Sequence, residues 1–413
     1  MRTSTLGFTL IAALSLPSSA RAAWETKPIA GMSVEVYTPA SHSPIGEGRA
    51  LMLGLHGCAQ TGANLRQYGA FEQTAEDFGM VLALPTVPGG GVIAGCWDYY
   101  GPTHDRTSGH NAPLLELTQT LRDDPSYGID PAQVYLTGFS SGGGQALIVG
   151  CLAPELFAGL AISAGPSLGT TVAQIAQVGT TVEQTVALCQ QFAGEHVGEF
   201  ATQVAITFTD TQDFTVAQGY AQINADMFAT LYGGDLTTGA LDVATLPGTN
   251  PAGTGVRYDD AQGERIAFVT SMGVGHNWPA GSGMGGGAVY VANTGLDLAA
   301  FAAMTFTANN RRASGDWDPG DDGGSGSGSS EGGGAGTGGD SAGDGGSSED
   351  GSSGDSAGGN SGASTLTVGI DDDGHIEPSG CQCRADTRDR SGVTAWLVVA
   401  IAAMRRRPRR PGR

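Results

Sequence analysis

The segment from Gln133 to Gln145 constrains this chain more than any other. Val134-Tyr135-Leu136-Thr137 reads as a buried strand, Gly138-Phe139-Ser140-Ser141-Gly142-Gly143-Gly144 follows, and a helical pattern opens just after Ser140. A strand that turns sharply into a helix holds its turning residue in strained backbone geometry, so the flanking positions must lack a Cβ. Gly138 and Gly142 meet that need around Ser140, whereas the spacing counted from Ser141 fails on both sides. The turn would expose the Ser140 hydroxyl at a helix N-terminus, where backbone dipoles favour developing negative charge. A plain glycine-rich turn is the bland alternative, and the strand-to-helix context argues against it.

The rest of the N-terminal three quarters has a matching rhythm. Short apolar runs at residues 51–55, 81–84, 134–137, 160–163, 204–207 and 266–270 alternate with helical segments at 64–78, at 112–122 and after Ser140. Near-continuous apolar runs suit strands buried on both faces of a parallel sheet, and the alternation predicts a doubly wound α/β domain over residues 23–312. Two Thr- and Gly-rich interruptions, 167–204 and 233–255, fit as excursions above the sheet or as surface loops.

The remaining segments read differently. Arg2, an apolar run at 6–16 and Ala20-Arg21-Ala22 have the layout of an export signal ending at residue 22. Export places the cysteines in an oxidising compartment, where Cys58, Cys96, Cys151 and Cys189 can form two disulfides. Residues 313–378 consist almost wholly of Gly, Ser, Asp, Glu and Ala, a composition predicted to form a disordered linker. The net charge of −21 divides into −14 over residues 1–312, −14 over the linker and +7 over 379–413. No basic stripe supports a nucleic-acid partner. No metal-ligand spacing appears, and no cofactor is implied.

A serine nucleophile needs a base, and the base an orienting acid. In folds with this turn the chain order is Ser, then Asp or Glu, then His. Among the histidines of the globular part, only His276 follows the final predicted strand; His196 precedes one and is the weaker candidate. Asp210 and Asp213 both follow the strand at 204–207, Asp213 being the choice for the acid and Asp210 a turn-capping alternative. A second oxyanion donor is expected after the strand at 51–55, where Gly57 admits close approach and the N–H of Cys58 can pair with that of Ser141. His56 reads as a residue fixing this loop.

At these motifs the chain resembles the secreted polyhydroxybutyrate depolymerase family, which includes feruloyl and acetylxylan esterases. The likeness rests on Leu55-His56-Gly57-Cys58-Ala59-Gln60, Gly95-Cys96-Trp97-Asp98-Tyr99, the Ser140 block and Gly275-His276-Asn277-Trp278-Pro279, with Asp213-Phe214-Thr215-Val216 as a fifth block. It implies an α/β-hydrolase, with a mostly parallel sheet, a nucleophile elbow, and serine ester hydrolysis by Ser140, Asp213 and His276. It also implies a Cys58–Cys96 disulfide, which leaves Cys151 and Cys189 as a second pair. Trp97, Tyr99, Tyr100 and Trp278 then become candidates for an aromatic substrate wall or for core packing. The substrate is expected to be a polyhydroxyalkanoate or its oligomers, the alternative a feruloyl or acetylated plant polysaccharide. A binding module on an inactive hydrolase scaffold is the rival of another class.

The C-terminus reads Gly380-Cys381-Gln382-Cys383, a charged stretch, an apolar run at 391–404 and Arg405-Arg406-Arg407-Pro408-Arg409-Arg410. The apolar run is shorter than the roughly 20 residues of a membrane span. This layout resembles the myxobacterial C-terminal sorting signal, which implies processing machinery as a partner, Cys381 as the attachment residue and surface anchoring of an exported protein. An ordinary tail anchor is the alternative.

Overall fold

A computed structural model describes residues 22–281 and 290–313. The expected leader, the linker and the C-terminal segment with Cys381 lie outside the described residues, apart from Ala22 and Ala313 at their edges.

The chain opens with a hairpin of β1 (Ala23–Ile29) and β2 (Met32–Thr38), whose two turn residues, Ala30 and Gly31, have φ of 50° and 73°. Two positive φ values give the twist that a two-residue hairpin requires. Then come β3 (Arg49–Leu55), α1 (Gly62–Tyr68), α2 (Phe71–Phe78), β4 (Met80–Pro85) and α3 (Asn111–Asp123). β5 (Ile129–Phe139) leads into α4 (Ser141–Leu152), followed by β6 (Gly159–Ser163), α5 (Val182–Ala193), β7 (Val204–Asp210) and α6 (Gly219–Tyr232). The last part holds β8 (Thr237–Leu241), a short β9 (Gly248–Thr249), β10 (Gly253–Asp260), β11 (Gly263–Ser271) and α7 (Leu298–Asn309).

Ten strands form one sheet in the order β1-β2-β4-β3-β5-β6-β7-β11-β10-β8. The six from β4 to β11 run parallel, and antiparallel pairs close both edges. This is an α/β-hydrolase sheet. All six predicted strands lie inside these six, with β3, β4, β6 and β7 almost wholly buried. Each fully buried aliphatic side chain contributes about 1.5–3 kcal/mol relative to exposure, and here both faces of the sheet collect that gain. One core packs α3, α4, α5 and α6 on one face, and the other packs α1, α2 and α7 on the opposite face.

The predicted helix at 64–78 is two helices. Gly69 and Ala70 break it, with Ala70 at φ 61°, and Thr61 caps α1 through a reciprocal bond pair with Asn64. The two uncertain interruptions hold α5 with the turn after it, and β8 with β9.

Strand order reverses between β3 and β5, because the chain leaves β3 for β4 on one side and crosses back to β5 on the other. In an open parallel sheet the crevice at the carboxyl ends of two such strands is where ligands bind. Ser140 follows β5 there, and His56 follows β3.

Disulfides join Cys58 to Cys96 and Cys151 to Cys189, each across 38 residues. The second ties the end of α4 to α5, away from Ser140. Replacing both Cys151 and Cys189 with Ser should cost about 3–4 kcal/mol, read as a lower urea midpoint, while ester turnover stays at the parent level.

Candidate active site

Ser140 is the single residue between β5 and α4, with φ 55° and ψ −120°. A non-glycine residue held there costs of order 1–3 kcal/mol, so the surroundings must impose it. Its N–H donates to Ser163 O at 2.9 Å, and its carbonyl accepts from Gly144 N at 3.0 Å. A Cβ at Gly138 would lie 2.1 Å from Gly142 O, and one at Gly142 would lie 2.4 Å from the carbonyls of Leu55 and His56. Crowding by backbone is therefore the reason for the glycines.

The Ser140 hydroxyl lies 3.0 Å from His276 Nε2, and His276 Nδ1 lies 2.8 Å from Asp213 Oδ2. The carboxylate only accepts, so Nδ1 carries the proton and donates it. That leaves the Nε2 lone pair facing the serine hydroxyl. Asp213 is fixed in turn, because Oδ1 accepts from the N–H groups of Thr215 at 2.9 Å and Val216 at 3.0 Å. Its side chain is fully buried.

Asp210 has another partner set. Its Oδ2 accepts from Ser271 Oγ at 2.6 Å and Val274 N at 2.9 Å, and Oδ1 accepts from Gln212 N at 2.8 Å. It staples the end of β7 to the loop that carries His276 and does not bond the imidazole. His196 sits beside Glu155 and Glu195 in the turn after α5, at 3.9 and 3.8 Å.

Among the described residues the N–H groups of Cys58 and Ser141 have no hydrogen-bond acceptor. Ser141 is the first residue of α4, where helical N–H groups lack intrahelical partners. The Cys58 loop is held from several sides. Gly57 N donates to Gln60 Oε1 at 2.8 Å, the Trp97 indole N–H donates to His56 O at 2.9 Å, and Ala59 N donates to Ala94 O at 2.9 Å. The Cys58–Cys96 disulfide adds a covalent tie.

His56 is fully buried under this loop. Its Nδ1–H donates to Gly57 O at 2.7 Å, and Nε2 accepts from Val87 N at 3.1 Å. The bond from Val87 N needs the unprotonated Nε2 of the neutral ring, and burial lowers its pKa from 6.5 to about 4. Between those values the unfolded chain binds the extra proton, so stability rises with pH. His56 contributes fully above 6.5, and as pH falls to about 4 about 3 kcal/mol is lost. Urea unfolding at pH 4 and pH 7 should show this loss in the parent and a flatter pH dependence in His56→Gln.

The sequence profile of the family described as Esterase PHB depolymerase matches residues 32–243. The chain belongs to this family. It is 38% identical over 287 residues to a poly(3-hydroxybutyrate) depolymerase of Ralstonia pickettii, an alignment covering 67% of this chain and 58% of that protein. It is 27% identical over 241 residues to poly(3-hydroxyalkanoate) depolymerase C of Paucimonas lemoignei, covering 57% of this chain and 56% of the relative. It is 24% identical over 264 residues to acetylxylan esterase A of Aspergillus ficuum, covering 60% and 82%. The chain thus spans little more than half the length of the two depolymerases.

Within this family member the aromatic wall expected from Trp97, Tyr99 and Trp278 needs correction. Trp97 and Trp278 are fully buried, with the Trp278 indole stacked on Phe71 at 5.1 Å and donating to Gly69 O at 3.0 Å. Tyr99 packs beneath α4, where a Cβ on Gly144 would meet its ring at 2.8 Å. These rings support the loops from below and have no surface to offer a polymer. Tyr100, half-buried, packs on Tyr99 at 4.2 Å. The rings that flank the imidazole are instead Phe139, at 4.9 Å, and Tyr290, at 6.1 Å. Gln60 Nε2 donates to Tyr290 O at 3.2 Å, so one side chain braces both the Cys58 loop and the residue whose ring stands beside His276. Phe139 stands inside the Gly-x-Ser-x-Gly pattern and Gln60 closes the block that begins at Leu55, but no motif, spacing or periodicity marks Tyr290.

Proposed function

We propose that this chain is a secreted serine ester hydrolase that cleaves polyhydroxyalkanoates or their oligomers through an acyl-enzyme. The observation that carries the reading is the unbroken line of hydrogen bonds from Ser140 through His276 to Asp213. Ser140 Oγ attacks the ester carbonyl while His276 Nε2 takes its proton, and Asp213 stabilises the imidazolium that forms. The N–H groups of Cys58 and Ser141 hold the tetrahedral oxyanion. As this collapses, His276 returns the proton to the departing alcohol. Water, deprotonated by His276, then releases the acid from Ser140. Likeness to the two depolymerases supports a polyester substrate.

The acetylxylan esterase A relative, 82% of whose length is spanned, supports a second reading, acetyl ester cleavage on plant polysaccharide, with feruloyl esters as the related alternative from the motif likeness. Clearing of a poly(3-hydroxybutyrate) suspension, set against release from methyl ferulate and acetylated xylan, separates the two. Clearing is expected; release from the other two esters without clearing overturns the polyester reading. Export rests on the leader-type layout before Ala23, and surface anchoring on Cys381 with the apolar and arginine-rich tail. Mass analysis of the mature chain, expected to begin near Ala23 and to end at a processed Cys381, tests both.

A further inference from the structure

Five stretches leave the carboxyl edge of the sheet around Ser140: residues 56–65 after β3, 86–97 in the first half of the connection from β4 to α3, 164–182 after β6, 211–218 after β7 and 272–281 after β11. In a chain with 15% charged residues, these five stretches hold no Lys, Arg or Glu, and their one Asp is the buried Asp213, whereas the second half of the β4–α3 connection carries Asp98, Asp105 and Arg106. The five stretches also collect exposed apolar side chains. Of the nine large hydrophobic residues exposed among the described residues, six stand here: Val92, Ile93, Val172, Val178, Phe214 and Met272. Single exposed apolar residues are ordinary, but a cluster on one face marks an interaction surface.

Local geometry holds these side chains outward. Phe214 is 84% exposed, and the N–H groups of the two residues after it bond the carboxylate before it, which fixes the backbone that carries the ring. Ile93 O accepts from Cys96 N at 2.8 Å and Val92 N donates to Cys96 O at 3.1 Å, which ties their loop to the disulfide at the Cys58 loop. Thr211 N donates to Ser271 O at 2.9 Å, joining the Phe214 and Met272 loops.

We infer that this uncharged, apolar-tipped face is a docking surface that seats the catalytic opening on a solid, uncharged polyester, independently of contacts made by the chain segment being cleaved. This rests on the polyester reading above. Charge singles out the occupant. The described part of the chain is strongly acidic, yet the five stretches that carry the exposed apolar side chains hold no exposed charge, as contact with a neutral and water-insoluble surface requires. An ionic polymer or an acidic partner would leave such a face without a counterpart.

The test compares the parent with Ile93→Ser/Val172→Ser/Phe214→Ser and with the apolar set Ile93→Val/Val172→Ile/Phe214→Leu. The full chain is used, with poly(3-hydroxybutyrate) particles and soluble nitrophenyl butyrate. Adsorption to particles and their clearing should fall about tenfold or more in the Ser set, since each lost apolar contact weakens partitioning several-fold. Soluble turnover should stay within about twofold of the parent because surface substitutions scarcely perturb the fold. The apolar set should behave as the parent. Adsorption of the Ser set equal to the parent overturns the proposal, as does a parallel loss of soluble turnover. If the parent adsorbs through these residues but clears no particles, the docking surface stands and the polyester reading fails. If it clears particles and the Ser set adsorbs unchanged, the reading stands and the surface fails.

Discussion

Ser140→Ala should lower kcat on a soluble nitrophenyl ester by about 10⁵–10⁶-fold, with the thermal midpoint unchanged. The loss follows from removing the hydroxyl oxygen that faces the imidazole, Oγ at 3.0 Å from His276 Nε2. Residual catalysis of about 10³–10⁴ over water should survive, because the oxyanion donors remain. Stability should be indifferent, since alanine at this position carries the same backbone strain as serine at φ 55° and the bonds to Ser163 O and Gly144 N are made by the backbone. Circular dichroism with single-turnover kinetics checks both halves. Turnover within tenfold of the parent would remove Ser140 from the mechanism.

The second large effect separates two aspartates three residues apart. Asp213→Asn should lower kcat about 10⁴-fold in a folded protein. The Asn oxygen would keep the bonds to Thr215 N and Val216 N, so its amide nitrogen would face His276 Nδ1 as a donor. Nδ1 must then accept, the ring proton moves to Nε2, and the imidazole can no longer take the serine proton. Asp210→Asn should do the opposite. Its carboxylate accepts three bonds, and an amide leaves a buried donor facing a donor at Gln212 N or at Ser271 and Val274. That costs about 1–3 kcal/mol of stability, while kcat should change less than tenfold. Urea unfolding and steady-state kinetics on both variants decide it. A 10⁴-fold loss in Asp210→Asn with Asp213→Asn near the parent would exchange their roles.

The core of the fold was legible because its strands are buried on both faces. Leu51, Leu53, Val134, Leu136, Leu160 and Ile162 make runs that only a covered parallel sheet explains. The antiparallel edges were not legible. β1 alternates exposed and half-buried residues, with Glu25 and Lys27 among them, and β10 carries Arg257, Asp259 and Asp260. Such strands owe their position to pairing with neighbours, through the Ala30-Gly31 turn and the ladder to β11, more than to an apolar pattern. The break between α1 and α2 depends on a left-handed Ala70, for which alanine gives no composition signal.

At the candidate site, Ser140 and His276 stood out in the sequence because sterics and chain order leave few choices for them. Asp210, the alternative for the acid, stands at the end of β7 and Asp213, the choice, three residues beyond it, and their hydrogen-bond partners differ. Trp97 and Trp278 flank the motifs in sequence, yet nearness along the chain does not say which side of a loop a ring occupies. Both turn inward, where their indole N–H groups find the carbonyls of His56 and Gly69. The apolar residues left outside, Phe214 above all, belong to no periodic pattern because loops have none.

The central claim is that Ser140 becomes acylated. Rapid-quench mass spectrometry of the protein mixed with a nitrophenyl ester at acidic pH, where deacylation slows, tests it most directly. The peptide containing Ser140 should gain the acyl mass within the first turnover and lose it on return to neutral pH. An acyl mass on any other residue, or full turnover with no transient adduct on that peptide in either the parent or a slow-deacylating ester series, would contradict the account.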